Sequence, residues 1–349
     1  MAPSLTIAES DGDMSLAARI LVTGATGFIG RRFVAHSLDG GQYRLRASAR
    51  ASNPVPPSYD AEIIGACGLT ADTDWRQALL DVAVVVHTAG TTGVVSRDRA
   101  TALAELRSID VTGTLNLARQ ATDAGVKRFV FLSSIKVHGE TSRFGEPISV
   151  ESPLAPEDPY AITKLETEQL LQRHFRDSAT ELVIVRPPLV YGPGVKGHFA
   201  TLIRWLAKGV PLPLGAVWNN RRSLLAVDNL VDLLATCTHH PAAANKVFLA
   251  SDGEDVSTTD LLSRIARAMQ REPRLIPVPV KVLRAAFRLA RRQSISHRLL
   301  DSLQVDTTAT RATLAWVPPL SLDEGLFRSV ANLVAAERPS EPGRFNGTG

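Results

Sequence analysis

The stretch ILVTGATGFIGRR, Ile20 to Arg32, decides the reading of this chain. Its first half is an apolar run of strand length, and its second half is a glycine-rich turn that passes into a helical pattern. The glycines Gly24, Gly27 and Gly30 are spaced G-x-x-G-x-x-G. The first permits a tight turn after the strand, the second lets a backbone approach a pyrophosphate, and the third lets helix and strand pack closely. Free N–H groups at the helix N-terminus then face the phosphates. A glycine triplet is specific only in context, and here it follows a strand and opens a helix. The expectation is a dinucleotide cradled by Gly24, Thr26, Gly27, Phe28, Ile29 and Gly30.

Outward from that turn, short β-rich runs alternate with helical patterns: YRLRASA, VAVVVHTAG, RFVFLSS, a helix from Tyr160 to Phe175, and ELVIVRP. Near-continuous apolar strands in βαβ alternation predict an α/β fold, a Rossmann-type doubly wound parallel sheet covered on both faces. After Pro187 the pattern turns Pro- and Gly-rich, and SLLAVDNLVDLLATC with KVFLAS reads as a return to the sheet. The expected organisation is a tail over 1–16 and a dinucleotide-binding region over 17–187, completed by about 224–251. A discontinuous substrate-binding region follows over 188–223 and 252–335, with a second tail over 336–349.

Composition narrows the class further. An apolar fraction of 44% with 21% charged residues is that of a soluble globular protein. No apolar run approaches the roughly 18 residues a membrane span needs. The N-terminus carries neither a basic nor an apolar signal region, so the expected location is the cytoplasm. Two cysteines, Cys67 and Cys237, give neither a disulfide framework nor a metal site. Residues 271–300 hold eight Lys/Arg against one acid, with Lys281, Arg284, Arg288, Arg291 and Arg292 at helical spacing. That face is either solvated or drawn to an anionic lipid surface or substrate, and no basic-aromatic interleaving points to nucleic acid.

An acid at the end of the second strand would bind the ribose 2′-hydroxyl of NAD. LRASARAS has none there and offers Arg50 with Ser52 beside it, which suits the 2′-phosphate of NADP. Arg46 competes for that role. NADP(H) is therefore favoured over NAD(H).

Tyr160 and Lys164 stand at i and i+4 on one helix face. A phenol of pKa about 10 is a poor acid or base near neutrality, and an adjacent ammonium favours its phenolate. Ser134 lies at the C-terminal end of a predicted parallel strand, where open α/β sheets place their ligands. His87 reads as structural.

The glycine turn, Ser134 and Tyr160-x-x-x-Lys164, in that order, resemble the extended short-chain dehydrogenase/reductase family. SSIKVHGE, RPPLVYGPGVKGHF, NNRRSLLAVDNLVDLL and FLASDGEDVSTTDLL are similar to its nucleotide-sugar branch, that of UDP-glucose 4-epimerases and of bacterial 4-reductases of UDP-4-keto-6-deoxy-N-acetylglucosamine in O-antigen pathways. By that resemblance Leu69, Thr88, Ala89, Gly90, Ser133 and Pro187 also line the cofactor. It likewise implies a substrate pocket of Thr91, Lys136, His138, Lys196, His198, Phe199, Asn219 and Arg222, with Arg222 on the diphosphate. Asp110, His138 and His198 depart from the residues relatives often carry, and GACGLT lacks an Asp common near the adenine. The implied activity is NADPH-dependent 4-reduction of a nucleotide-linked 4-keto-6-deoxy sugar, with Tyr160 as acid and Ser134 on the C4 oxygen. Its alternatives are an NAD-dependent 4-epimerase, a non-sugar ketone reductase and a non-catalytic NADP sensor; the implied assembly is a homodimer.

Overall fold

The computed structural model describes residues 19–39, 44–49, 61–65, 68–91 and 98–337. Five strands of the large sheet lie where the apolar runs predict them: β1 (Arg19–Thr23), β2 (Arg44–Ala49), β4 (Val82–His87), β5 (Arg128–Leu132) and β6 (Glu181–Arg186). With β3 (Glu62–Gly65) and β9 (Lys246–Leu249) they form a seven-stranded sheet, ordered β3-β2-β1-β4-β5-β6-β9 and parallel throughout. The order reverses between β1 and β4, the place where an open α/β sheet leaves a crevice for its ligand.

Alternation along the strands sorts side chains to two faces. Ile20, Val22, Val84, Val86 and Val130 join a core with Phe33 and Val34 of α1 (Phe28–Asp39) and Leu230, Leu233 and Leu234 of α6 (Val227–His239). Leu21, Val85, Phe129 and Phe131 face the other way. There they meet Leu117 and Ala121 of α3 (Thr112–Asp123) and Leu171 and Phe175 of α4 (Pro159–Phe175). Both faces are buried, so the strands carry no polar register, and the doubly wound parallel fold follows from the sequence as expected.

A second sheet, three-stranded, contains β7 (Leu189–Tyr191), β8 (Arg222–Ala226) and β10 (Asp255–Val256) in the order β10-β8-β7. This corrects one expectation: residues 224–226, read as the start of a return to the large sheet, pair with β7 instead. The return begins with α6 and is completed by β9. A separate core of Tyr191, Phe199, Ile203, Leu262 and Ile265 underlies α5 (Gly197–Ala207) and α7 (Thr258–Ala268).

Asp252 joins the two parts. The buried Tyr191 hydroxyl donates to its Oδ2 at 2.6 Å, while Ala226 N and Asn229 Nδ2 donate to Oδ1 at 2.8 and 2.7 Å. Desolvation holds both the Tyr191 phenol and the Asp252 carboxyl above their ordinary pKa values. Tyr191→Phe leaves that carboxylate one donor short, and urea unfolding is expected to show a loss of about 1.5–3 kcal/mol, the range for a hydrogen bond to a charged group.

Candidate active site

The turn after β1 interlocks with the end of β4. Gly24 sits at φ +72°, and a Cβ there would stand 2.7 Å from the Ala89 backbone. A Cβ on Gly30 would run into the Gly24 carbonyl and stand 2.7 Å from Thr88 Oγ1, which itself donates to Thr23 O at 2.7 Å. Gly27, by contrast, is exposed, and a Cβ there would meet only the Gly24 oxygen. Its open side leads to the first turn of α1, which carries no acid to compete for the free N–H groups. Phe28 and Ile29 anchor that turn on the core, and Thr26 O accepts from Arg31. This cradle fits a dinucleotide pyrophosphate, held by Gly24, Gly27 and the N–H groups of α1. Leu69, expected to line the cofactor, is half-buried against the Gly113 backbone.

Arg46 is withdrawn as a reader of a 2′-phosphate. Its guanidinium is buried and donates to Ala78 O (3.0 Å), Leu80 O (2.7 Å) and Glu62 Oε2 (2.8 Å). Arg50 and Ser52 lie outside the described residues.

Ser134, Tyr160 and Lys164 come together at the C-terminal end of β5. Ser134 caps a short 3-10 turn over Ile135–His138, accepting from Lys136 N at 3.3 Å, and its hydroxyl lies close enough to the Tyr160 phenol to favour the phenolate. Tyr160 is in the first turn of α4 because Asp158 caps that helix, accepting from Ala161 N at 2.7 Å, with Pro159 opening it. One turn on, the buried Lys164 Nζ donates to Leu132 O at 3.0 Å and stands 4.8 Å from the Phe131 ring centre. A Cβ on Gly90, at the end of β4, would meet Nζ at 3.3 Å. Desolvation lowers the Lys164 pKa, and the charges of Asp110 and Glu168 oppose it. Burial raises the Tyr160 pKa, and so do the Asp110 and Asp158 charges, while the Ser134 hydrogen bond favours the phenolate.

Asp110 enters this site through local backbone geometry. Between α2 (Arg99–Leu106) and α3 the chain makes one π-helical turn, Arg107–Val111, which turns Asp110 inward. Its buried carboxylate accepts from Thr91 N at 3.1 Å and Thr91 Oγ1 at 3.2 Å. Desolvation lifts its pKa, against the Lys164 charge and the Thr91 hydrogen bonds.

Several residues expected at the ligand instead brace the site. Ser133 donates to Glu168, whose carboxylate pairs with buried Arg186 at 2.5 Å. Arg186 in turn donates to His138 Nε2 at 2.9 Å, and His138 Nδ1–H reaches Ser152 O at 3.0 Å, so both ring nitrogens are engaged. Burial, then the Arg186 charge, holds that imidazole below its ordinary pKa and neutral. Lys136 is clamped at 2.6 Å by both Glu140 and Asp158. Pro187 is buried, with its carbonyl taken by Ile135 N. His87 lies between Thr23 and Thr114, its pKa lowered to about 3 by burial, in the structural role read for it.

A cluster of cationic side chains forms where β8 meets α9 (Gln293–Leu300). Arg222 is buried there with carbonyl partners, Asp301 O at 2.9 Å and His297 O at 3.3 Å, and burial lowers its pKa to about 10. Arg298, which the motif reading missed, is close enough for its charge to depress both Arg222 and the exposed His198. Lys196 and Asn219 are exposed on adjoining loops, whereas Phe199 is a core residue packed 5.5 Å from the Tyr191 ring. Among the described residues no cluster of His, Cys, Asp and Glu is arranged to hold a metal.

The profile of the NAD dependent epimerase/dehydratase family matches residues 20–250. The chain belongs to that family. A UDP-glucose 4-epimerase of Vibrio cholerae is 42% identical over 321 residues, covering 92% of this chain and 96% of the relative. A GDP-6-deoxy-D-mannose reductase of Pseudomonas aeruginosa is 29% identical, covering 88% and 94%. The crystal structure of a UDP-glucuronic acid 4-epimerase from Bacillus cereus in complex with NAD superposes with a TM-score of 0.74 at 20% identity. It covers 92% of this chain and all of that one, which fixes the Rossmann-type fold. As a member of the epimerase/dehydratase family the protein is an enzyme of nucleotide-sugar chemistry.

Because the Asp110 charge disfavours the Tyr160 phenolate, removing it lets Tyr160 ionise at lower pH. In Asp110→Asn, which keeps an acceptor for Thr91 N, the Tyr160-dependent limb of the pH–kcat/KM profile should move to lower pH. An unchanged profile would remove Asp110 from the charge balance of the site.

Proposed function

We propose that the protein is a 4-epimerase of UDP-linked hexoses or N-acetylhexosamines. The observation that carries this is the Ser134–Tyr160–Lys164 cluster beside the glycine cradle, in a chain so similar along its length to a UDP-glucose 4-epimerase. The initial expectation, net 4-reduction with NADPH, yields first place on that similarity. When bound, the nicotinamide supplies reversible hydride transfer at C4 of the sugar. The chain supplies the rest. Tyr160 removes the proton of the C4 hydroxyl and returns it to the C4 oxygen, Ser134 hydrogen-bonds that oxygen as its charge develops, and Lys164 stabilises the phenolate form of Tyr160. Arg222 and Arg298 receive the diphosphate, a role in which a buried guanidinium satisfied only by carbonyls gains charge-assisted bonds. Rotation of the 4-keto sugar between the two hydride transfers falls within the region built from β7, β8 and β10. In the same reading α2, α3 and α4 join two copies in a homodimer.

The second reading, a 4-reductase of a nucleotide-linked 4-keto-6-deoxy sugar, is favoured by one observation: burial, and after it the Asp110 charge, raises the Tyr160 pKa and so favours the proton-donating phenol. NADP(H) through Arg50 belongs with that reading, and recycled NAD belongs with the first.

The two separate in one experiment. Purified protein with UDP-glucose or UDP-N-acetylglucosamine and NAD is followed by proton NMR for the 4-epimer, and with NADPH and a UDP-4-keto-6-deoxy sugar for absorbance loss. Interconversion without net cofactor turnover is the expected outcome. Stoichiometric NADPH oxidation without interconversion would put the reductase in its place. In the productive assay Tyr160→Phe should lower kcat by about 10²–10⁴-fold, the usual contribution of a positioned acid–base group. Arg298→Ala should weaken UDP binding by about tenfold in titration calorimetry, the loss of one charge-assisted phosphate contact.

A further inference from the structure

We propose that the outer face of α8 (Val280–Leu289), with the turns that flank it, is a docking face for an anionic lipid surface. The helix rests on the small core through Leu283, which is 7% exposed, and Phe287. At 100° per residue that seating sends Val282, Ala285 and Leu289 to the opposite side. Val282 is 55% and Leu289 is 89% exposed.

Cations line the same side. Lys281, Arg288, Arg291 and Arg292 are exposed and form no ion pair among the described residues, whereas Arg284 is tied to Asp301 at 2.5 Å. Further exposed apolar residues lie on the turns before the helix. Leu212 N donates to Arg274 O at 2.9 Å and Ile276 N to Leu212 O at 2.8 Å, which sets the two turns side by side. Val210 N donates back to Trp205 O at 2.9 Å. Ile276, Val210 and Trp205, all exposed, thereby lie on linked turns of the segments that precede α8. Glu272 is the sole acid between residues 271 and 300.

Charge and shape together select the occupant. Aliphatic and indole groups on a crest, flanked by long cationic side chains, match an interface in which the apolar atoms enter the acyl boundary and the cations reach anionic headgroups. A second copy of the face would set its unpaired cations against each other. A nucleic acid backbone would answer the charge and leave the apolar crest without a complement. The dock would also hold the sugar-nucleotide pocket close to the surface. Arg284 of α8 pairs with Asp301, and the Asp301 carbonyl holds Arg222.

The test is flotation of the full-length protein with vesicles of phosphatidylcholine alone or mixed with phosphatidylglycerol. Partitioning to the mixed vesicles, weakened by salt and absent with phosphatidylcholine alone, is expected. Lys281→Gln with Arg288→Gln and Arg292→Gln should reduce it by more than about tenfold, given the attraction of each basic residue to an anionic leaflet. Val282→Ser with Leu289→Ser should reduce it as well, with thermal melting and turnover of soluble substrate unchanged. If the charge variant misfolds, the serine pair, which removes no charge, decides the matter. Equal partitioning to both vesicle types or to neither would overturn the proposal. So would binding that survives the serine pair, since that is adsorption by charge alone.

Discussion

The site depends on one ammonium taken out of water. Lys164 is buried, and desolvation lowers its pKa; the charges of Asp110 and Glu168 oppose that and favour the ammonium. Each of those carboxylates has its own support. Thr91 holds Asp110, while Arg186 and Ser133 hold Glu168, and His138 closes the chain by accepting from Arg186. A row of alternating charges therefore runs through the base of the crevice, each costly alone and tolerable because its neighbour is opposite. Tyr160 stands beside that row, and its ionisation is influenced partly by the Asp110 and Asp158 charges.

Sequence made the scaffold and the centre of this site legible because both are local. Strand-length apolar runs, a glycine triplet and a Tyr-x-x-x-Lys spacing are short-range patterns, and short-range geometry converts them directly into β1, the cradle and one face of α4. What sequence left unread is set by long-range encounters. His138 looked available to a sugar until β6 brought Arg186 against it. Arg46 looked available to a phosphate until its guanidinium found the carbonyls at the end of the segment before β4. Phe199 has the composition of a binding residue and the position of a core residue. Arg298 lies 76 residues beyond Arg222 and is joined to it only by folding.

Asp110 shows a different kind of illegibility. Its type was visible in LRSIDVTGT, but its direction is not a property of the helical period that surrounds it. One π-helical turn shifts the register of the helix and carries a carboxylate from the flank of α2 into the crevice. A regular helix through the same residues would present a different side chain to Lys164.

The interleaving of the two sheets bears on how the chain is made. During synthesis β6 is complete at residue 186, but its outer neighbour β9 emerges only at residues 246–249, after β7 and β8 of the other sheet. The nascent chain thus carries an unpaired, apolar strand edge through the time needed to add some sixty residues, about 3–12 seconds at ordinary translation rates. An edge of that kind is a template for mispairing with another chain. The two regions cannot be separated by a single cut, and the ribosome-bound protein passes through an interval in which the β6 edge, covered by β9 in the finished sheet, is open.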